Sequence, residues 1–314
     1  MAESFDLYQL AEALSSHPAI IEKASIQSAY LPAAEVNQGI PLGDDCAAIP
    51  DPETGGHLLF AAEGMLASFV ADDPWFAGYS AVMVNLSDIA AMGGRPIAIT
   101  NVIWKNKTQS VDAIWEGMRA ASQAYNVPIV GGHTTQLDNS DNPVHLAAAV
   151  LGRAGRHLLT SFDAQPGDRL TIAIDMNGAY RKEKPFWNAS TTTEPAQLQR
   201  TLALLPELAE KGLCKTAKDI SNGGIIGTLA MLIHSSGVGA TLELDSLPIP
   251  AETSWLKWLT SFPSYGYLLA IPAANLASTK THFSPHGINF AEIGTFNKSG
   301  KITIRKDTEE AEFI

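Results

Sequence analysis

A chain of 314 residues with 46% hydrophobic and 17% charged residues holds enough apolar material for two ordinary domains or one large one, which excludes wholesale disorder. A net charge of −12, with no run of Lys or Arg, excludes a chain whose main partner is nucleic acid. Two cysteines, Cys46 and Cys214, match neither a metal spacing nor a disulfide framework. Met1–Leu14 lacks the basic start and long apolar core of a signal peptide, and no apolar run is long enough for a bilayer, so a soluble cytoplasmic protein is expected.

In chain order, His57–Ala62 is a short apolar run ending at Glu63-Gly64, a buried strand entering a turn. Trp75–Met92 is a long Ala-rich helix stopped by Gly93-Gly94. Pro96–Trp104 is β-branched and apolar and predicts a strand. Ser110–Tyr125 sets Val111, Ile114, Trp115 and Met118 at helical spacing. Val127–Val130 predicts a strand running into the loop Gly131-Gly132-His133-Thr134-Thr135, and Val144–Arg153 a further strand.

Ser161–Asp168, with Pro166 and Gly167, reads as a connection, after which the same grammar returns. Leu170–Ile174, Gly239–Leu244 and Tyr265–Ile271 predict strands; Pro195–Lys211 and Ile225–Ser236 predict helices. Asn289–Gly294 and Ile302–Arg305 read as edge strands closing the chain, and the polar, aromatic Asn177–Thr193 as a loop or lid. The pattern is α/β (α+β) in two domains, 1–157 and 158–314.

The chemistry-bearing residues are carboxylates beside glycines. Gly43-Asp44-Asp45 suits either an Asp-rich turn or one corner of a Mg²⁺ site, since Mg²⁺ takes one or two carboxylates plus phosphate oxygens. Asp88 stands in an otherwise apolar helix, where a carboxylate needs a partner or a metal. Asp219-Ile220-Ser221-Asn222-Gly223-Gly224 precedes a helix; Ser221 or Asn222 could cap it, or its free amides could seat an anion. Gly131, Gly132, His133 and Thr134 lie at a strand end, where α/β folds often line ligand crevices. The chain has no P-loop, no Gly-x-Gly-x-x-Gly opening a helix, no kinase catalytic loop and no nucleophile elbow.

Gly43-Asp44-Asp45-Cys46-Ala47, Asn85–Gly93 and Asp219-Ile220-Ser221 resemble, in order and spacing, the three acidic signatures of a known superfamily. It contains AIR synthase, thiamine-monophosphate kinase, selenophosphate synthetase and the hydrogenase-maturation carbamoyl dehydratase. Gly237-Val238-Gly239-Ala240 and Pro248 also match the thiamine-monophosphate kinase pattern. Within the superfamily the chain is most similar to the AIR synthase-related branch, over residues 38 to 295.

The resemblance implies an AIR synthase-like fold in which N-terminal strands build a β-barrel across a homodimer beside a C-terminal α/β domain. ATP and Mg²⁺ would be the cofactors, with Asp44, Asp45, Asp88, Asp219 and Glu63 at the metal. Gly43, Asp44, Gly131, Gly132, Thr134, Ser221, Asn222, Gly223 and Gly224 would hold the nucleotide. His133 and Asp45 would take part in phosphoryl transfer to an oxygen of a small metabolite, kinase-like or synthetase-like. Arg181, Lys182, Lys184 and Trp187 lie in the loop that could close over the site. Two positions depart from the kinase pattern, His133 and Asn222, each standing where the kinase has an acid. They leave room for a non-catalytic nucleotide-binding regulatory or assembly subunit of the same fold.

Overall fold

The computed structural model describes residues 5–25, 40–137, 142–182 and 184–313, so Met1–Ser4 of the N-terminal reading lie outside it. The chain forms two compact units: Asp45–Leu158 with Thr193–Glu207, and Met1–Asp44 with Leu159–Thr192 and Leu208–Ile314. The main change of unit falls between Leu158 and Leu159, while Met1–Asp44 joins the second unit and Thr193–Glu207 the first. Two short helices open the chain, α1 (Leu7–Ser15) and α2 (Pro18–Ser25), and they belong to the second unit.

The first unit contains β1 (Ala47–Asp51), β2 (Gly56–Met65), α3 (Ala67–Asp72), α4 (Pro74–Ala91), β3 (Gly94–Asn106), α5 (Asp112–Tyr125), β4 (Ile129–Leu137) and β5 (His145–Ala154). Its sheet is open, in the order β1-β2-β5-β3-β4, with β3 and β4 parallel and joined through α5. Asp73 accepts a hydrogen bond from the Phe76 amide and Pro74 occupies the first turn of α4, a standard start. Gly93, at φ +74°, ends it. Helices α4 and α5 approach so closely that a Cβ on Gly117 would collide with the Trp75 carbonyl. The sheet face beneath α4 buries Leu59, Ala61, Ile99, Ile103, Ala148 and Val150.

Two expectations change here. Gly131–Thr135 is not a loop but the middle of β4, each residue paired with Thr100–Trp104 of β3. The apolar pattern of Val127–Val130 stops because β4 lies at the sheet edge and is largely exposed, so nothing selects apolar side chains beyond it. The expected helix over 195–211 is also two helices, α6 (Pro195–Leu202) and α7 (Leu204–Glu210). Pro206 has no N–H to donate back to the Leu202 carbonyl, so the first helix ends there.

The second unit adds β6 (Arg169–Ile174), β7 (Ala179–Tyr180), β8 (Phe186–Asn188), β9 (Thr216–Asp219), α8 (Gly224–Ser236), β10 (Gly239–Glu243), α9 (Trp255–Leu259), β11 (Phe262–Pro263), β12 (Gly266–Ile271), α10 (Leu276–Phe283), β13 (Asn289–Asn297), β14 (Ile302–Lys306) and β15 (Glu309–Phe313). Seven strands form one sheet in the order β15-β14-β10-β13-β6-β12-β9. Ile225, Ile226, Leu229 and Leu232 of α8 pack in one core with Leu170, Ile172, Leu268 and Ile304 of the sheet. Helix α1, capped by Asp6, lies against β14 and β15, and α2 against α8.

Two further expectations are corrected. β13 and β14 are not edges; β13 is central, and the edges are β9 and the charged β15, Glu309–Phe313. Its glutamates face Lys301 and Arg305, and such charges protect an edge from pairing with another chain. Asn177–Thr193 is not simply a loop, because β7 and β8 join β11 in a three-stranded sheet. Trp187 is buried there, its Nε1 donating to the Asp175 carbonyl at 2.9 Å and its ring edge-on to Trp258. Trp187 is thus a packing residue rather than part of a closing flap.

Candidate functional site

In the second unit β9 ends at Asp219, a buried carboxylate, and the chain turns at once into α8. The turn needs its glycines. Gly223 and Gly224 have φ of +88° and +65°, and a Cβ on Gly224 would strike the Leu259 carbonyl. Gly223 is the N-cap of α8 and no side chain caps the helix, so neither Ser221 nor Asn222 has the capping role that was one of their two readings. The Ser221 amide instead donates to Thr228 Oγ1 at 3.3 Å, and that hydroxyl donates to the Asp219 carbonyl at 3.4 Å. The first turn of a 13-residue helix is thereby left without a side-chain acceptor, which favours an anion at the positive end of the helix dipole. Lys23, from α2, donates from Nζ to Ser221 Oγ at 2.8 Å.

Asp44 is engaged within the same unit. Its Oδ2 accepts from the Ser161 amide at 2.8 Å and its Oδ1 from Ser161 Oγ at 2.5 Å. Lys218 Nζ lies 3.9 Å from Oδ1, with the two side chains 3% and 1% exposed. An ammonium and a carboxylate so far from water require each other. Asp44 is therefore placed as one half of an internal ion pair. Lys218 and Asp219 are neighbours on β9 and so point to opposite faces of the sheet.

In the first unit Asp88 is buried on α4. One turn earlier, Asn85 Nδ2 donates to the Ala81 carbonyl at 2.8 Å and the Ala148 carbonyl at 3.4 Å, fixing the helix on β5. Glu63, exposed in β2, lies in one cross-strand row with Ala148, Asn101 and Gly132. A Cβ on Gly132 would come within 2.7 Å of the Asn101 carbonyl, so only glycine fits at position 132. Asp45 opens this unit, partly buried. Gly131, Gly132, His133 and Thr134 border a groove of about 760 Å³ whose other wall is Trp115, Arg119 and Ser122 of α5.

Among the described residues no group of three or more His, Cys, Asp or Glu side chains stands close enough to hold a metal ion. The donors fit Mg²⁺ in one way only: hard carboxylate oxygens supplied singly, with the remaining ligands coming from phosphate and water. Metal titrated into the nucleotide-free protein should accordingly show no tight site, and equilibrium dialysis with Mn²⁺ would check this. Both cysteines are buried, and burial pushes the Cys214 thiol up to about 12. Its thiolate is negligible at neutral pH. A thiol reagent at pH 8 should thus leave Cys214 unreacted until the protein is unfolded, as peptide mass mapping would show.

Sequence reasoning missed Lys23, Ser161, Lys218, Thr228 and the α5 wall of the groove. Lys218 carried a signal, a lone cation beside a carboxylate in the strand Thr216–Asp219; Lys23, 198 residues from Ser221, carried none.

Comparison with known proteins agrees with this architecture. Residues 43–154 match the AIR synthase related protein, N-terminal domain, and residues 165–307 the AIR synthase related protein, C-terminal domain. An uncharacterised protein of Synechocystis is 47% identical over 277 residues, 88% of this chain and 84% of that one. The chain belongs to the AIR synthase-related family. Thiamine-monophosphate kinase of Salmonella typhimurium is similar at 27% identity, covering 83% of this chain and 84% of the kinase. Among solved structures, T. maritima PurL complexed with ADP has a TM-score of 0.75 at 18% identity, over 97% of this chain and 50% of the PurL chain. AaThiL complexed with AMPPCP and TMP has a TM-score of 0.67 at 16% identity, over 92% of this chain and 97% of that one. These structural likenesses establish the shared AIR synthase-like fold. Among the described residues no helix is long and apolar enough to cross a membrane.

Proposed function

We propose that this AIR synthase-related protein binds ATP with Mg²⁺ and transfers, or uses, its terminal phosphate at an oxygen of a small metabolite. The observation that carries the reading is the Asp219–Gly224 turn: a buried carboxylate, a helix start no side chain caps, and a hydroxyl met by an ammonium. Sequence similarity to thiamine-monophosphate kinase and the PurL and ThiL folds solved with nucleotides support it. Asp45, Asp88 and Glu63 of the first unit and, separately, Asp219 of the second are each proposed as single carboxylate ligands of Mg²⁺. Asp44 is proposed with them: Ser161 takes one acceptor position on each of its oxygens, which leaves lone pairs for a metal or a nucleotide. Bound Mg²⁺ would supply charge neutralisation on the phosphates.

The chain's own residues would do the rest. Gly223 and Gly224 let backbone amides meet phosphate oxygens, and Ser221 adds a hydroxyl donor. Gly43, Gly131, Gly132, Thr134 and Asn222 are proposed nucleotide contacts, and His133, facing the groove of the first unit, is proposed to touch the acceptor or the transferred group. Positioning and electrostatics of this kind supply most of the catalysis in phosphoryl transfer. The test is ADP release with Mg²⁺ across a panel of monophosphates, carboxylates and amides, thiamine monophosphate included. At least one class should stimulate turnover. ATP binding with no stimulated release by any of them would favour the second reading, a nucleotide-binding subunit without turnover, which His133 and Asn222 already suggest by standing where the kinase has acids.

A homodimer is part of the proposal. The face of the five-stranded sheet away from α4 exposes Ile49, Phe60 and Leu151 by 40%, 51% and 39%, and strand pairing puts all three on one side. A contiguous apolar patch of this kind marks an interface, and a second copy closing strands over it would form the barrel that the resemblance implies. Phe60→Asp should convert a dimer to monomer in light-scattering chromatography while leaving the melting profile of the chain cooperative; a wild-type protein that elutes as a monomer would contradict the assignment.

A further inference from the structure

We propose that the acceptor of this chain is a planar aromatic anion, bound in the groove between α5 and β4 with its ring on Trp115 and its acidic group on Arg119. A ring with a fixed positive charge is refused there. This names the substrate class of the proposed transfer and rests on reading that groove as the acceptor's place. Trp115 and Arg119 both border it. They stand four residues apart on α5 and so share one face of the helix, with Cβ atoms about 6 Å apart. Ile114 and Met118 bury α5 against its unit, whereas the Trp115 ring is 38% exposed. An indole that the core does not need offers its flat apolar face to another ring.

Charge decides what that ring carries. Arg119 is exposed, and among the described residues it makes no ion pair and no side-chain hydrogen bond. In a chain of net charge −12 carboxylates are plentiful, yet the described residues lining this groove include none. The guanidinium's planar fork suits a carboxylate or a phosphate. Its place on the helix sets that group about one turn from the ring. His133 lines the opposite wall, on β4. An imidazole is never negative, and this one stands where thiamine-monophosphate kinase has an acid. An acid there would favour a cationic ring such as a thiazolium; a groove whose charged group is Arg119 repels it.

The experiment is a saturation-transfer NMR titration of the full chain, without nucleotide, with four probes: benzyl phosphate, benzyl alcohol, glycerol 3-phosphate and thiamine monophosphate. Benzyl phosphate should bind at least about tenfold more tightly than the others, which lack the anion, lack the ring, or carry a cationic ring. Arg119→Met should weaken benzyl phosphate by about tenfold and leave benzyl alcohol unchanged, while Trp115→Leu should weaken both. His133→Asp should bring thiamine monophosphate to within about threefold of benzyl phosphate. Wild-type affinity for benzyl phosphate in Arg119→Met, or thiamine monophosphate bound by the wild type as tightly as benzyl phosphate, overturns the proposal. Binding as expected with no ADP release for any acceptor overturns the transfer reading and leaves the ligand class standing. ADP release stimulated only by acceptors without a ring overturns the ligand class and leaves the transfer reading standing.

Discussion

Asp44→Ala should lower the stability of the folded chain by about 3 kcal/mol or more. The Asp44 carboxylate is 1% exposed and faces Lys218, which is 3% exposed, across 3.9 Å. Removing it takes one opposing charge from a buried ammonium and strips both Ser161 donors of this acceptor. A buried pair contributes little over an apolar replacement of both partners, yet breaking it from one side is costly, because desolvation of the remaining charge is no longer offset. The double variant Asp44→Ala with Lys218→Met should therefore recover a large part of the loss. Urea unfolding of the four proteins in this cycle measures it. If Asp44→Ala unfolds within about 0.5 kcal/mol of wild type, a range typical of surface changes, the internal ion pair is not what holds Asp44.

Asp88→Asn should weaken Mg²⁺·ATP binding by about 100-fold or more, since loss of even outer-sphere support for a metal ligand costs 10–100-fold. The substitution keeps the shape of a buried side chain on α4 and removes only its charge. Stability should change little, and binding of ATP in excess EDTA should also change little, because the carboxylate would act through the metal. The contrast between the Mg²⁺ and EDTA titrations separates a ligand from a residue that merely packs. Equal affinities for wild type and Asp88→Asn in Mg²⁺ would remove Asp88 from the metal site.

The sequence made the alternation of strands and helices legible because burial imposes it. Trp75–Met92 and Ile225–Ser236 are apolar enough to read as core helices, and both are helices within a residue or two. The edges were harder. At β4 and β15 exposure removes the apolar pattern, so Gly131–Thr135 read as a loop and Glu309–Phe313 did not register at all. The acidic signatures were visible as anomalies, carboxylates in apolar or glycine-rich surroundings. What they touch was not visible, since the partners come from distant segments: Ser161 is 117 residues from Asp44 and Lys23 is 198 from Ser221. Short range in space and long range in sequence leave no periodic trace. The helix cap shows the same limit, because Ser221 and Asn222 have the right chemistry to cap α8, and only the positive φ of Gly223 decides that neither does.

The measurement closest to the central claim is calorimetric titration of the full chain with ATP, once with Mg²⁺ and once with EDTA. The account predicts saturable binding in Mg²⁺ and a clear loss of affinity in EDTA. Absence of binding under both conditions, or binding indifferent to Mg²⁺, would contradict it.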